Sequence, residues 1–195
     1  MVFIILLLVI LIDSALSDDC TQDSSQYIQK IQTFLNEINI SDSLNHQIYY
    51  EACNLESIGK DVYGREQFLS AKSAKSFNAM RRDAIAEGIK INIISAFRSF
   101  EYQESIIRRK IKKGNSISYI LQENMIPGYS QHHTGCAVDI APSKGSQLSQ
   151  NFENSEIFKW LEKNAHKYHF FLTYPRENEH GIKYEPWHWM YINNQ

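Results

Sequence analysis

"SQHHTGCAVDI", residues 130 to 140, sets two adjacent histidines, His132 and His133, seven and six positions ahead of Asp139. If residues 135 to 141 are extended, alternate side chains point to opposite faces of a sheet. Asp139 then shares a face with Ala137 and Gly135, while Cys136, Val138 and Ile140 turn the other way. This places Cys136 in a core, neither ligand nor nucleophile, and lets the small Gly135 and Ala137 leave room beside Asp139 for a metal and a substrate. A carboxylate on an otherwise apolar strand needs a cation or hydrogen-bond donors to offset its lost hydration. A metal is one such partner and backbone amides are the other.

A second stretch bears on the same question. In "YEPWHWMYI", residues 184 to 192, Glu185 precedes His188 by three positions between aromatic neighbours. Taken alone, a histidine flanked by Trp187 and Trp189 on a strand is a packed core imidazole first and a ligand second. Hydrolytic zinc sites use three nitrogen or oxygen ligands and keep one position open for water, with a carboxylate nearby to take the proton. The chain has no H-E-x-x-H segment, which excludes the common zinc-protease helix. Residues 130 to 140 and 184 to 192 remain as the sources of ligands and base.

Outward from these stretches, the hydrophobic spacing sets out the rest of the domain. Residues 22 to 38 carry Tyr27, Ile28, Ile31, Phe34, Leu35 and Ile38 at helical intervals, and residues 39 to 60 are mixed. From about residue 70, Ala74, Phe77, Met80 and Ala84 fall on one helical face that ends at Gly88. "INIIS" (91 to 95) reads as a buried strand. Ser99 can cap a helix whose Ile106, Ile107 and Ile111 face inward as far as Gly114. The cluster Arg108, Arg109, Lys110, Lys112 and Lys113 in its last turns reads as a solvated face favoured by the helix dipole before it reads as a contact with anionic polymer. "AVDIA" is a strand, Phe158, Leu161, Ala165 and Tyr168 mark a further helix, and "FFLTYP" and "HWMYI" supply two more strands. This order implies a small α+β domain with a mostly antiparallel sheet and flanking helices.

Composition bounds the rest. A formal net charge of −2, or −1 once Asp13 leaves with a leader, gives no drive toward nucleic acid or an anionic membrane. Residues 1 to 17 read as a signal peptide: the apolar run from Val2 to Ile12 is too short for an ordinary membrane span and "ALS" offers a cleavage site, although a retained anchor is the alternative. The expectation is a secreted or extracytoplasmic protein, monomeric, with a helical extension over 18 to 54 and a catalytic domain over 55 to 195. Cys20 and Cys53 are the more plausible pair among the three cysteines, against three unpaired thiols.

Three segments in order carry a resemblance. "SAFRSFEYQ" (95 to 103), "SQHHTGCAVDI" and "EPWHW" are similar to the S-x-(aromatic)-R-S-x-x-x-Q, S-x-H-x-x-G-x-A-x-D and E-P-W-H segments of the VanY-type D-alanyl-D-alanine carboxypeptidases, zinc peptidases that trim peptidoglycan stem peptides. Residues 56 to 84 look like the family's lead-in, so the resemblance spans roughly 55 to 193. It implies the hedgehog/DD-peptidase-like zinc fold and one zinc ion per chain, held by His132, Asp139 and His188, with His133 at a variable position. Glu185 matches the base that activates water, Arg98 an arginine beside the metal, and Gln103 and Ser130 residues that hold the substrate's terminal carboxylate in some members. Taken alone, Arg98 would be a surface salt bridge and Gln103 a solvated helix position. His46, His133, His166, His169 and His180 are read as surface or packing residues. Met190 stands where the family commonly has an arginine. The implied activity is release of a C-terminal D-amino acid from stem peptides. A peptidoglycan endopeptidase is the alternative enzyme, and a zinc-binding recognition module without turnover, as in hedgehog signalling domains, is the alternative of another class.

Overall fold

The computed structural model describes residues 23–40, 47–142, 148–178 and 181–193. The expected leader, Cys20, His46 and His180 lie outside them. Among the described residues no helix is long and apolar enough to cross a membrane.

The chain begins with helix α1 (Ser24–Glu37), whose N-cap Asp23 accepts a hydrogen bond from the Ser25 amide at 2.9 Å. A hairpin follows, β1 (Leu55–Lys60) and β2 (Glu66–Ser70), and runs directly into α2 (Ala71–Ala86). Next come β3 (Asn92–Ser95), α3 (Phe100–Lys112) and the short α4 (Ile117–Leu121). A 3₁₀ turn, Gln131–Thr134, leads into β4 (Ala137–Ala141). Helix α5 (Glu156–Asn164), β5 (Phe170–Leu172) and β6 (His188–Tyr191) complete the order. The last four strands form one antiparallel sheet in the order β3-β4-β6-β5, so the expected α+β class is what forms.

The two faces of this sheet do different work. Cys136, Val138, Ile140, Trp189 and Tyr191 pack with α2 and α5 in one continuous core. The four α2 residues picked out by spacing, Ala74, Phe77, Met80 and Ala84, are all fully buried in it. Complete burial of side chains such as Phe77 and Phe170 contributes about 1.5–3 kcal/mol apiece. Asp139 and His188 are register partners across β4 and β6, so by strand alternation they share the opposite face.

A second core lies beside the first, where Tyr27, Ile31, Phe34 and Leu35 of α1 meet Phe100 and Ile107 of α3 and Ile120 of α4. Arg108 on α3 pairs with Glu104 at 2.7 Å and with Glu37 of α1, which accounts for one member of the basic cluster. The inward face of α3 differs from the one expected. Phe100, Gln103 and Ile107 are buried, whereas Ile106 is only partly covered and Ile111 is 36% exposed. The three isoleucines mark a stripe, but the helix is rotated so that Gln103, not Ile111, points inward.

Gly135 also has a different job from the one expected. Its φ is +65°, and a Cβ there would sit 2.9 Å from the Ser70 amide nitrogen and 3.1 Å from Leu55. Its smallness admits the β1–β2 hairpin, so the space it frees lies beside Ser70 and Leu55. Cys136 does turn into the core: its sulfur accepts from the Ser73 hydroxyl at 3.3 Å and it is a free thiol, while Cys53 is disulfide-bonded.

Candidate metal centre and active site

Three separate segments deliver the cluster. The 3₁₀ turn brings His132, β4 brings Asp139 and the first residue of β6 is His188. All three are buried, and their ligand atoms lie within 4.8 Å of one another. His132 Nδ1 lies 2.6 Å from the Ala96 carbonyl just after β3. Because a carbonyl only accepts, that nitrogen carries the proton and Nε2 presents a lone pair. Nε2 is buried without a hydrogen-bond partner and faces Asp139 Oδ2 at 3.3 Å. Burial, and then the charge of Arg98, lower the His132 imidazole to about 4, so no proton separates these two acceptors near neutral pH. Two lone pairs held face to face in a dry site are the arrangement a cation relieves.

His188 is oriented from its far side. Its Nε2 lies 2.8 Å from Gln131 Oε1, which also accepts the Thr173 hydroxyl at 2.7 Å. An oxygen already taking one donor fixes the Gln131 amide orientation and places the His188 proton on Nε2. His188 Nδ1 therefore turns its lone pair to Asp139 Oδ1 at 3.0 Å. Tyr174 stacks on the imidazole, ring centroids 4.6 Å apart.

Glu185 comes to the same place by a tight turn. The His188 amide donates to the Glu185 carbonyl at 3.0 Å, with Pro186 at the second position of the turn, where its fixed φ fits. Burial, and next the charge of Asp139, push the Glu185 carboxyl up to about 8, with Arg98 opposing. Arg98 enters from the end of β3. Its amide donates to the His132 carbonyl at 3.2 Å, and one terminal nitrogen lies 3.8 Å from Asp139 Oδ2. Its Nε is buried with no protein partner.

These groups line one cleft of about 490 Å³, to which Gln103 and Ser130 also contribute. Gln103 is 1% exposed and donates from its side-chain amide to the Met125 carbonyl at 2.6 Å. Ser130 is 2% exposed, directly ahead of the ligand turn. The seven site residues named from sequence thus converge on one cleft.

Sequence reasoning missed the groups that hold them. His133, read as a surface or packing residue, is the latter, fully buried, and its contacts were not foreseen: Nδ1 donates to the Arg98 carbonyl at 2.6 Å and Nε2 accepts from the Gly128 amide at 3.0 Å. It clamps the Arg98 backbone to the loop ahead of the ligand turn. Gln131, Thr173 and Tyr174 were not singled out either. Only Gln131 carried a signal, its place beside a ligand candidate.

A buried His-Asp-His cluster that could hold a metal ion, with a carboxylate and a guanidinium lining the same cleft, is the donor pattern used by single-metal hydrolases. Residues 66–194 match the family described as VanY, D-alanyl-D-alanine carboxypeptidase, and the chain belongs to that family. It is 34% identical over 155 residues to a D-alanyl-D-alanine carboxypeptidase of Enterococcus faecium, covering 78% of this chain and 45% of that one. It is 30% identical over 140 residues to the putative carboxypeptidase YodJ of Bacillus subtilis, covering 67% of this chain and 49% of the relative. The chain therefore spans about half the length of these curated relatives. Among solved structures, the LdcB LD-carboxypeptidase superposes with a TM-score of 0.65 at 29% identity, covering 74% of this chain and 70% of that one. A zinc complex of a VanY D,D-pentapeptidase mutant shares the fold, with a TM-score of 0.57 at 23% identity over 80% of this chain and 84% of that one.

Proposed function

We propose that this protein is an exported zinc metallopeptidase that removes the C-terminal D-amino acid from peptidoglycan stem peptides, of the D-alanyl-D-alanine carboxypeptidase type. The observation that carries the reading is the lone pair of His132 Nε2, buried and directed at Asp139 beside His188. The donor set of two imidazoles and one carboxylate suits zinc, and His132, Asp139 and His188 would hold one ion. Zinc bound there supplies electrophilic polarisation of the peptide carbonyl and acidification of water, and its charge draws Glu185 back toward the carboxylate form.

The remaining steps belong to the chain. Glu185, at the cleft wall, takes the proton from water and returns it to the leaving amine. Arg98 offers its unpartnered Nε to the carbonyl oxygen or to the substrate's carboxylate. Ser130 and Gln103 shape the cleft beside them. Export rests on the leader at residues 1 to 17, and the family's D-alanyl-D-alanine substrates support the choice of peptide.

Defined tetra- and pentapeptide stem fragments, incubated with zinc-loaded wild type and with Glu185→Ala and read by mass spectrometry, test this. Loss of one D-alanine from the pentapeptide by wild type alone is the expected result. Conversion of tetrapeptide to tripeptide instead would move the assignment to the LD-carboxypeptidase reaction. Intact peptides with both proteins, each carrying one zinc, would overturn it.

A further inference from the structure

We propose that the far end of the cleft is a carboxylate-binding subsite formed by Lys110 and Lys183, which selects peptides bearing a free carboxylate away from the scissile bond. This rests on the peptidase reading and names the substrate class within it. Lys110 and Gln103 both line the cleft and lie on α3. Seven residues at helical rise set their backbones about 10 Å apart along the helix axis. Lys183 comes from the segment ahead of β6, where its amide donates to the Gln122 carbonyl at 3.1 Å. The two ammoniums converge on Glu123, Lys110 at 3.4 Å from one carboxylate oxygen and Lys183 at 3.3 Å from the other.

The balance of donors and acceptors decides what this end can bind. Burial raises the Glu123 carboxyl, but Tyr119 and the two lysines outweigh it and keep the group ionised. Its oxygens are thus already engaged. Each ammonium carries three donors and gives one to Glu123, which leaves two apiece, whereas Tyr119 and the two lysines take most of the acceptor sites of the carboxylate, so the spare hydrogen-bonding capacity is mostly donor. Two cations around one anion leave one positive charge in excess. The other acids lining the cleft are Asp139, in the His-Asp-His cluster, and Glu185, on which the charges of Glu123 and Lys110 act less than those of Asp139 and Arg98. The lysine side chains are 31% and 45% exposed, so their ammoniums are reachable from the cleft. A substrate ammonium would meet a carboxylate that is already neutralised, whereas a substrate carboxylate meets unspent donors and net positive charge.

The test uses full-length zinc-loaded protein and three peptides sharing one scissile bond. The first has a free side-branch carboxylate, the second has that group amidated, and the third keeps it but carries a C-terminal amide. Binding is measured directly by fluorescence anisotropy, and turnover by the kcat/KM ratio of acid over amide. The expected result is that wild type prefers the acid about five- to tenfold, mainly through KM, and that added salt erodes the preference. Lys110→Met with Lys183→Met should bring the ratio to near one, while Lys159→Met, remote from the cleft, should leave it in place. Equal wild-type affinity for acid and side-branch amide overturns the subsite whether or not either is cleaved. A lysine dependence abolished by the C-terminal amide assigns the lysines to the terminal carboxylate and overturns their placement away from the scissile bond. Failure of turnover with the binding preference intact counts against the peptidase reading alone.

Discussion

Replacing Gln131 by Leu isolates the contribution of one acceptor atom to metal affinity. Gln131 Oε1 takes the proton on His188 Nε2 at 2.8 Å and the Thr173 hydroxyl at 2.7 Å, and its side chain touches neither Asp139 nor the proposed metal position by any hydrogen bond. Leucine is close in volume but accepts nothing. Two consequences follow. The buried His188 N–H loses its partner, which costs about 1–3 kcal/mol, and the half-buried Thr173 hydroxyl loses one that water can replace. The His188 ring is then free to turn over or change tautomer, so Nδ1 no longer faces Asp139 by default. Losses of such outer partners weaken metal binding by about 10- to 100-fold, equivalent to about 1.4 kcal/mol per factor of ten. Competition with a zinc chelator of known affinity at pH 7.5 reads the dissociation constant, and thermal unfolding of metal-free protein reads the stability term separately. Gln131→Glu retains an acceptor and should recover most of the affinity. A zinc dissociation constant for Gln131→Leu within twofold of wild type would refute the reasoning, because the tautomer would then be set by something other than this oxygen.

Three further outcomes follow from the same geometry. Glu185→Gln should retain zinc at wild-type stoichiometry by atomic absorption while kcat falls by about 10²–10⁴-fold, the range for loss of a general base. Gly135→Ala should unfold at lower urea: it forces a left-handed backbone on alanine and drives a methyl to 2.9 Å from the Ser70 amide nitrogen, together costing about 2 kcal/mol or more. His133 gives a pH dependence. Burial lowers its imidazole from 6.5 to about 4, so between these values the unfolded chain binds the extra proton and the folded chain does not. Stability is therefore full above roughly pH 6.5 and falls as the pH drops toward about 4, by up to about 3 kcal/mol. Urea titrations across that window should show a shallower slope for His133→Gln than for wild type, and identical slopes would refute the assignment.

The helices of the first core were legible because they have a signature along the chain, and the His132, Asp139 and His188 cluster through its resemblance to the family's segments. Ala74, Phe77, Met80 and Ala84 repeat at helical spacing, and strand parity separates Asp139 from Cys136. The β1–β2 hairpin was not legible. Its strands are dominated by Glu56, Ser57, Lys60, Glu66 and Gln67, and of their residues only Ile58 and Leu69 are buried, so no alternation announces them. The rotation of α3 escaped for a related reason. Gln103 occupies an inward position because the Met125 carbonyl, far off in sequence, satisfies its amide, and a polar residue of that kind reads as solvent-facing until its partner is known. His133 shows the same limit. Its partners, the Arg98 carbonyl and the Gly128 amide, are backbone groups that no side-chain pattern reports. The sites that bind are written in side chains, whereas much of what holds them still is written in the main chain.

The boundaries of kinship and of mechanical integrity do not coincide in this protein. The family match begins at residue 66, after α1 and most of the first hairpin. Yet the Tyr49 amide donates to the Gly128 carbonyl, the Ala52 amide to the His133 carbonyl, and Glu51 accepts the Phe100 amide at the head of α3. Half of the second core's buried residues come from α1 and the Ile38 that caps it. A chain trimmed to the recognisable region would keep all seven site residues and lose the brace that steadies the loop carrying four of them or their supports. Its apolar α3 face, stripped of Tyr27, Ile31, Phe34 and Leu35, would be left bare to water. Ancestry alone is thus a poor guide to where this molecule can be cut.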